Sequence, residues 1–278
     1  MGLNAFESWW LAFVPFFIYG AGTLFLYLFQ EWRIFRPTKG LRGDPGDWGM
    51  PFETLRLERD GITLHGWMIP GRLQGPVVLF FHGNTGNLTD FQAHIKLFQR
   101  LGLGVLAFDY RGYGLSGGKP SEAGLYADAR TALQHLVHER ALHPRNILYY
   151  GHSLGGGPAL NLAMEHPPGG LILEGCFTGI ADLAGELHPY FPVRALTRVH
   201  FNNLQRIPDL SSPLLVIHSR QDEVIPFHHG EKLFAAATSP KTLLESDGNH
   251  HDGFAASGPF AEAHLEAFVA SCFSRNDR

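Results

Sequence analysis

ILYYGHSLGGGPAL, residues 147–160, is the stretch on which the reading of this chain turns. An apolar, aromatic run ends at a glycine, and His152, Ser153, Leu154 and three glycines follow. Gly151-His152-Ser153-Leu154-Gly155 is a G-x-S-x-G pentapeptide set between a run that predicts a strand (146–150) and one that predicts a helix (156–165). In that context the serine sits at the tip of a sharp turn, its hydroxyl clear of the sheet and facing the helix N-terminus. Side chains at the flanking glycines would collide with the neighbouring strand or helix. A plain glycine-rich turn is the competing reading. A phosphate loop would need G-x-x-x-x-G-K-[ST], and no lysine follows here.

The rest of the chain supplies the same kind of strand. Short apolar runs at 76–81 (PVVLFF), 104–108 (GVLAF), 170–173 and 214–218 (LLVIH), with a last strand at 241–245, alternate with helical patterns at 91–100, 122–140, 156–165, 230–237 and 260–273. Strands apolar throughout, alternating with helices, imply an α/β fold: a mainly parallel sheet with helices on both faces. Two earlier strands, 52–59 and 63–69, joined by Asp60-Gly61, read as an antiparallel hairpin at one edge. The connection from Thr178 to Ser212 is too long for a turn and reads as a short helical cap, about 180–212, over the strand ends.

Ligands of such sheets bind at the carboxyl ends of the strands. A serine hydroxyl needs a base to take its proton, and the base needs an acid to orient it. Asp222 and Glu223 follow the strand at 214–218, and His250 and His251 follow the strand at 241–245, in the order serine, acid, histidine. The candidates are therefore Ser153, with Asp222 or Glu223 and His250 or His251. An oxyanion hole would take the backbone N–H of Leu154, after the nucleophile, and one from the loop FFHGNTGN (80–87), where Asn84 after His82-Gly83 is the natural donor. His82 is expected to pack structurally.

From Pro76 to His251 the sequence resembles the α/β-hydrolase superfamily, and more narrowly the membrane-anchored abhydrolase-domain serine hydrolases. The carrying segments are FFHGNTGN (80–87), FDYRGYGLSGG (108–118), YGHSLGGG (150–157), LEGCFTGI (173–180), HSRQDEVIPFHHGEKLF (218–234) and GNHHD (248–252). The resemblance implies Asp222 as the acid and His250 as the histidine. It implies no substrate, although lysophospholipases and protein depalmitoylating thioesterases are among such proteins.

The first 36 residues read as a membrane anchor. Trp9 to Phe29 is 21 residues without a charge, about 31 Å as a helix and enough for one hydrocarbon core. Trp9, Trp10, Tyr27 and Trp32 lie where aromatic belts form. A signal peptide would want a positive start, and Glu7 is the only charged side chain before the run. Arg33, Arg36, Lys39 and Arg42 follow it, which places the soluble part on the cytoplasmic side. Residues 37–51 (PTKGLRGDPGDWGMP) read as a linker, and 52–278 as the hydrolase domain.

Composition narrows the function. With 278 residues, 45% hydrophobic and 17% charged, the chain can bury a large core. A net charge of −4 and no basic stripe argue against nucleic acid as a partner. Cys176 and Cys272 make no disulfide framework and are expected to be thiols. The clustered histidines, His228-His229 and His250-His251-Asp252, lack metal-ligand spacing, so no metal is expected, and no cofactor is implied. The expected function is a membrane-anchored serine hydrolase acting on an ester or thioester of an acyl substrate, with apolar cap residues Leu187, Tyr190, Phe191, Val193 and Leu196 suited to an acyl chain or to plain packing. The alternatives are a serine peptidase on the same triad and a non-catalytic membrane-tethered binding protein.

Overall fold

The computed structural model describes residues 9–72, 75–251 and 253–273. Glu7 and Asp252 and the side chains of Trp9 and Trp10, all invoked above, lie outside the described residues. The chain opens with α1 (Val14–Leu28) and α2 (Gln30–Ile34) and a two-residue strand, β1 (Arg36–Pro37). Then come the hairpin β2 (Glu53–Arg59) and β3 (Ile62–Ile69), β4 (Val77–Phe81), β5 (Thr85–Gly86), α3 (Gln92–Arg100), β6 (Gly104–Phe108) and α4 (Glu122–Gln134). The second half runs β7 (Ile147–His152), α5 (Gly156–Glu165), β8 (Gly170–Glu174), α6 (Ile180–Leu187), α7 (Val193–Leu196), α8 (Asn203–Arg206), β9 (Leu214–Ser219), α9 (His228–Ala236), β10 (Lys241–Ser246), α10 (Gly253–Ala256) and α11 (Pro259–Phe273).

The described residues form one eight-stranded sheet in the order β10-β9-β8-β7-β4-β6-β3-β2. It is parallel from β10 to β6, and β3 and β2 add antiparallel strands at the edge. Strand residues alternate between faces, and β4 shows what that does to an all-apolar run. Val77, Leu79 and Phe81 join a core with Leu125 and Ala129 of α4 and Leu160 of α5. Val78 and Phe80 join a second core with Ile95 and Phe98 of α3 and Leu265 of α11. Both faces are covered, and all five residues of the strand are buried and apolar. The hairpin turn holds Asp60 at φ 52° and Gly61 at φ 74°, the pair of left-handed residues that a two-residue hairpin demands.

Two expectations are corrected. The helical pattern at 122–140 is α-helical only to Gln134, after which His135–Glu139 winds in wider π turns and Ala141 reverses the chain at φ 54°. The supposed linker at 37–51 is bound to the domain as a strap. Thr38 N–H donates to Gly86 O at 2.9 Å, Lys39 Nζ to Ser116 O at 2.9 Å, and the Trp48 ring meets Trp67 edge-on. Glycine and proline there shape a fixed path, because the chain must hug a curved surface while keeping its backbone groups paired.

α1 is apolar on every side. Leu11–Leu28 has a mean hydropathy of 1.8, none of it is buried in the protein, and it is long enough to cross a membrane. It docks on the region around α7. Phe191 stacks on Tyr19 with centroids 5.4 Å apart, and the Arg198 guanidinium lies 4.7 Å above the Tyr27 ring. Gln30 is buried: its Oε1 accepts from Arg198 N–H at 2.6 Å and its Nε2 donates to Tyr27 O at 2.8 Å. α6, α7 and α8 sit within 180–212, the stretch expected to form the cap.

Candidate active site

β7 runs on to His152, and Ser153 turns the chain at φ 54°, a left-handed conformation that a non-glycine residue adopts only under constraint. The constraint comes from packing. A Cβ at Gly151 would stand 2.6 Å from Gly156 Cα, and one at Gly155 would run into the Phe81 carbonyl oxygen. Only glycine lets the elbow close against β4 and the first turn of α5.

Above the elbow three side chains form a hydrogen-bonded chain. Ser153 Oγ lies 2.9 Å from His250 Nε2, and His250 Nδ1 lies 2.7 Å from Asp222 Oδ2. Asp222 Oδ1 accepts the N–H groups of Val224 at 2.9 Å and Ile225 at 2.7 Å. Burial opposes ionisation of Asp222, but the His250 hydrogen bond and charge and these two N–H donors outweigh it and hold the carboxyl below its ordinary value. The ionised carboxylate therefore receives Nδ1–H, which leaves the Nε2 lone pair free to accept the Ser153 proton. All three groups are buried.

Of the pairs that residue order leaves open, Asp222 and His250, the members implied by the resemblance, are the ones hydrogen-bonded in this chain. Glu223 Oε2 accepts the His250 backbone N–H at 3.1 Å, which braces the loop, while the exposed His251 binds Asn249 Oδ1 through its own N–H. Asn84 and Leu154 line the same cavity as Ser153. The Asn84 peptide is fixed from the other side, its carbonyl accepting Arg36 N–H at 3.0 Å and Tyr113 Oη–H at 2.8 Å. The Leu154 N–H is among the amides that a helix N-terminus leaves without an internal partner. His82 is wholly buried: Nδ1–H donates to Gly83 O at 2.8 Å, and burial holds its pKa below the ordinary value.

Sequence reasoning missed the layer beneath. His152, the variable position of the pentapeptide, donates Nε2–H to the backbone carbonyl of His250 at 3.0 Å, so the serine turn and the histidine loop are tied by a second link. Burial drives His152 down to about 3, and it stays neutral. Below it, Glu174 is 3.3 Å from His94 Nε2 and accepts from the Tyr150 hydroxyl. Burial disfavours the Glu174 anion, but His94, His152 and Tyr150 favour it more, and its pKa falls. The residue types were visible, but their convergence needs the sheet register that sets His152 opposite Glu174. The other histidine pair clamps the cap region: His228 Nε2 and His229 Nε2 of α9 face Glu186 of α6 at 3.0 and 3.3 Å. His229 Nδ1 accepts the Thr178 N–H at 3.2 Å, so the neutral ring carries its proton on Nε2, facing Glu186.

The cavity over Ser153 is about 220 Å³. Leu187, Val193 and Leu196 line it with Ile180 and Leu183, as expected of apolar cap residues, whereas Tyr190 points away and Phe191 packs on α1. Its remaining wall was not foreseen: Leu26, Tyr27, Gln30, Arg33 and Ile34 of the N-terminal helices line it too. No Asp or Glu occurs among the described lining residues.

Comparisons with known proteins agree with this architecture. Residues 74–201 match the family model for serine aminopeptidase, S33. An uncharacterized protein of Mycobacterium tuberculosis is 39% identical over 196 residues, 70% of this chain and 70% of that one. The α/β-hydrolase domain-containing protein WAV2 of Arabidopsis thaliana is 32% identical over 266 residues, 86% of each chain. Among solved structures, the esterase Pf2001 of Pyrococcus furiosus superposes with a TM-score of 0.69 at 18% identity, covering 85% of this chain and 98% of its own.

Proposed function

This chain belongs to the α/β-hydrolase superfamily, and from that premise we propose that it is a membrane-anchored serine hydrolase cleaving an ester or thioester of an acyl substrate. The reading rests on one observation, the unbroken chain Ser153 Oγ–His250 Nε2 and His250 Nδ1–Asp222 Oδ2 beneath a largely apolar cavity. Ser153 Oγ attacks the acyl carbonyl as its proton passes to His250 Nε2. Asp222 holds Nδ1–H and stabilises the imidazolium. The N–H groups of Leu154 and Asn84 receive the charge that develops on the carbonyl oxygen. His250 then protonates the leaving alcohol or thiol, and water, activated by the same imidazole, hydrolyses the acyl-enzyme.

An ester or thioester suits the cavity better than a peptide N-terminus. An aminopeptidase needs an anion for the substrate's α-ammonium, and the described lining residues offer a cation, Arg33, instead. The family model's name favours the peptidase reading, and substrate panels separate the two. Purified full-length protein should react with a fluorophosphonate probe and turn over p-nitrophenyl esters or acyl thioesters, and Ser153→Ala should abolish both. Turnover of aminoacyl amides above that of esters would replace the reading by the peptidase one.

The residues immediately after α1 support the anchor assignment. Gln30 and Phe35 are buried and Arg36–Pro37 is a paired strand, so no loose spacer trails the apolar helix where a signal peptidase would cut. Arg33, Arg36, Lys39 and Arg42 favour a cytoplasmic catalytic domain. A C-terminal reporter active only outside the cytoplasm would reverse that orientation. The substrate is small or lipid-derived, and the lack of a basic stripe argues against nucleic acid.

A further inference from the structure

Three features meet in the structure: the exposed apolar surface of α1, the tip between α6 and α7 that packs against it, and the cavity over Ser153 whose wall both helices α1 and α6 help to form. The tip is His188-Pro189-Tyr190-Phe191-Pro192, with Tyr190 85% exposed and Leu187 just before it 62% exposed. Together with the exposed apolar side chains of α1, on which Phe191 stacks, they extend an apolar patch of the kind that marks a membrane or partner surface. Their position along α1 says what covers them. Phe191 packs on Gly22, where a Cβ would stand 3.0 Å from its ring, and stacks on Tyr19. Gly22 lies six residues before the end of α1 at Leu28, about 9 Å along the axis. If α1 crosses a bilayer, a loop seated at that depth stands among acyl chains, below the level of Arg33 and Trp32, which come after the helix end. Prolines at 189 and 192 fix the loop's shape, and its neighbours Arg194 and Arg198 are exposed cations suited to lipid phosphates.

We propose that the tip Tyr190–Phe191 is inserted in the acyl region of the bilayer beside α1, so that the cavity over Ser153 opens into lipid rather than water. Leu26 and Tyr27 of α1 and Leu187 of α6 all line that cavity, so its walls are shared by the anchor and the inserted corner. An acyl chain passes laterally from the leaflet to Ser153 without crossing water. The acyl substrate is therefore one that resides in the membrane. The inference rests on the anchored-hydrolase reading, and the test separates the two.

Full-length protein carrying Cys272→Ser, with Cys176 buried, is reconstituted in phosphatidylcholine–phosphatidylglycerol vesicles containing brominated acyl chains. One cysteine at a time is labelled with an environment-sensitive fluorophore: Tyr190→Cys at the tip, Phe17→Cys on α1, and Asn146→Cys, which precedes β7 at the sheet end opposite Ser153. Quenching at 190 and 17 but not at 146 is the expected result. Quenching at 17 without 190 overturns the inserted corner and leaves the anchor standing, and quenching at neither removes the anchor and the inference with it. Tyr190→Asp supplies an independent readout. It should slow hydrolysis of a long-chain ester presented in vesicles by about tenfold or more, since a charge in the acyl region is costly, while water-soluble p-nitrophenyl acetate is hydrolysed as before. Unchanged turnover of the vesicle substrate overturns the proposal.

Discussion

Replacing Asp222 with Asn tests the triad at the carboxylate that orients His250. The amide has the size of the carboxylate, and its orientation is dictated by the structure. The N–H groups of Val224 and Ile225 both point at Oδ1, so the amide oxygen must take that place. Its NH₂ then occupies the Oδ2 position, 2.7 Å from His250 Nδ1. Two donors cannot face each other, so His250 is driven to the tautomer with its proton on Nε2, aimed at Ser153 Oγ. That ring cannot accept the serine proton. The triad template puts the loss at about ten-thousandfold in kcat, or ~5.5 kcal/mol of barrier. Stability should fall by much less, about 1 to 3 kcal/mol, for one charge-assisted hydrogen bond replaced by a clash of donors. The assay is ester or thioester turnover beside a chemical denaturation curve. A folded Asp222→Asn protein that loses less than about tenfold would show that the carboxylate does not set the tautomer, and the mechanism would have to be redrawn.

Other consequences are as direct. His152 has a folded pKa of about 3 against 6.5 for the free ring, so the unfolded chain takes up the proton first. Stability should therefore be lost as pH falls from 6.5 toward 3, by about 1.4 kcal/mol per pH unit from this ring alone, and His152→Gln should flatten the slope in denaturation midpoints. Gly155→Ala should destabilise by about 1 to 3 kcal/mol or more and depress fluorophosphonate labelling, because the new methyl meets the Phe81 carbonyl oxygen; an unaltered melt and labelling rate would refute the packing account of the elbow. Leu26→Trp, in the cavity wall, should lower the octanoate-to-acetate ratio of kcat/KM about tenfold, and an unaltered ratio would show that the helix does not touch the acyl chain.

Much of this was legible in the chain itself, because the elements that carry the site announce themselves locally. The all-apolar runs of β4, β6 and β7 predict strands covered on both faces, and the elbow glycines predict their own crowding. The choices between Asp222 and Glu223, and between His250 and His251, are not local. Adjacent residues on a loop point in different directions, so residue order alone does not separate them; the resemblance names Asp222 and His250, and the fold brings those two together. The strap at 37–51 was misread because glycine and proline mark a turning path whether or not a surface lies under it. The cavity wall from α1 and α2 left no trace in the sequence, since the same apolar residues satisfy a lipid environment without any site nearby.

The join between the N-terminal helices and the loop at Asn84 has a practical corollary for anyone wishing to handle this protein in solution. Asn84 Nδ2 donates to Ile34 O at 3.1 Å, and its carbonyl accepts Arg36 N–H, so the peptide that would present one oxyanion donor is held by residues just past the greasy end. Cutting the chain after residue 37 to gain solubility removes both contacts and the strand that pairs with Thr85–Gly86. A trimmed version that folds but turns over slowly would say little about the intact molecule; a detergent-extracted full-length preparation is the one whose rates can be interpreted.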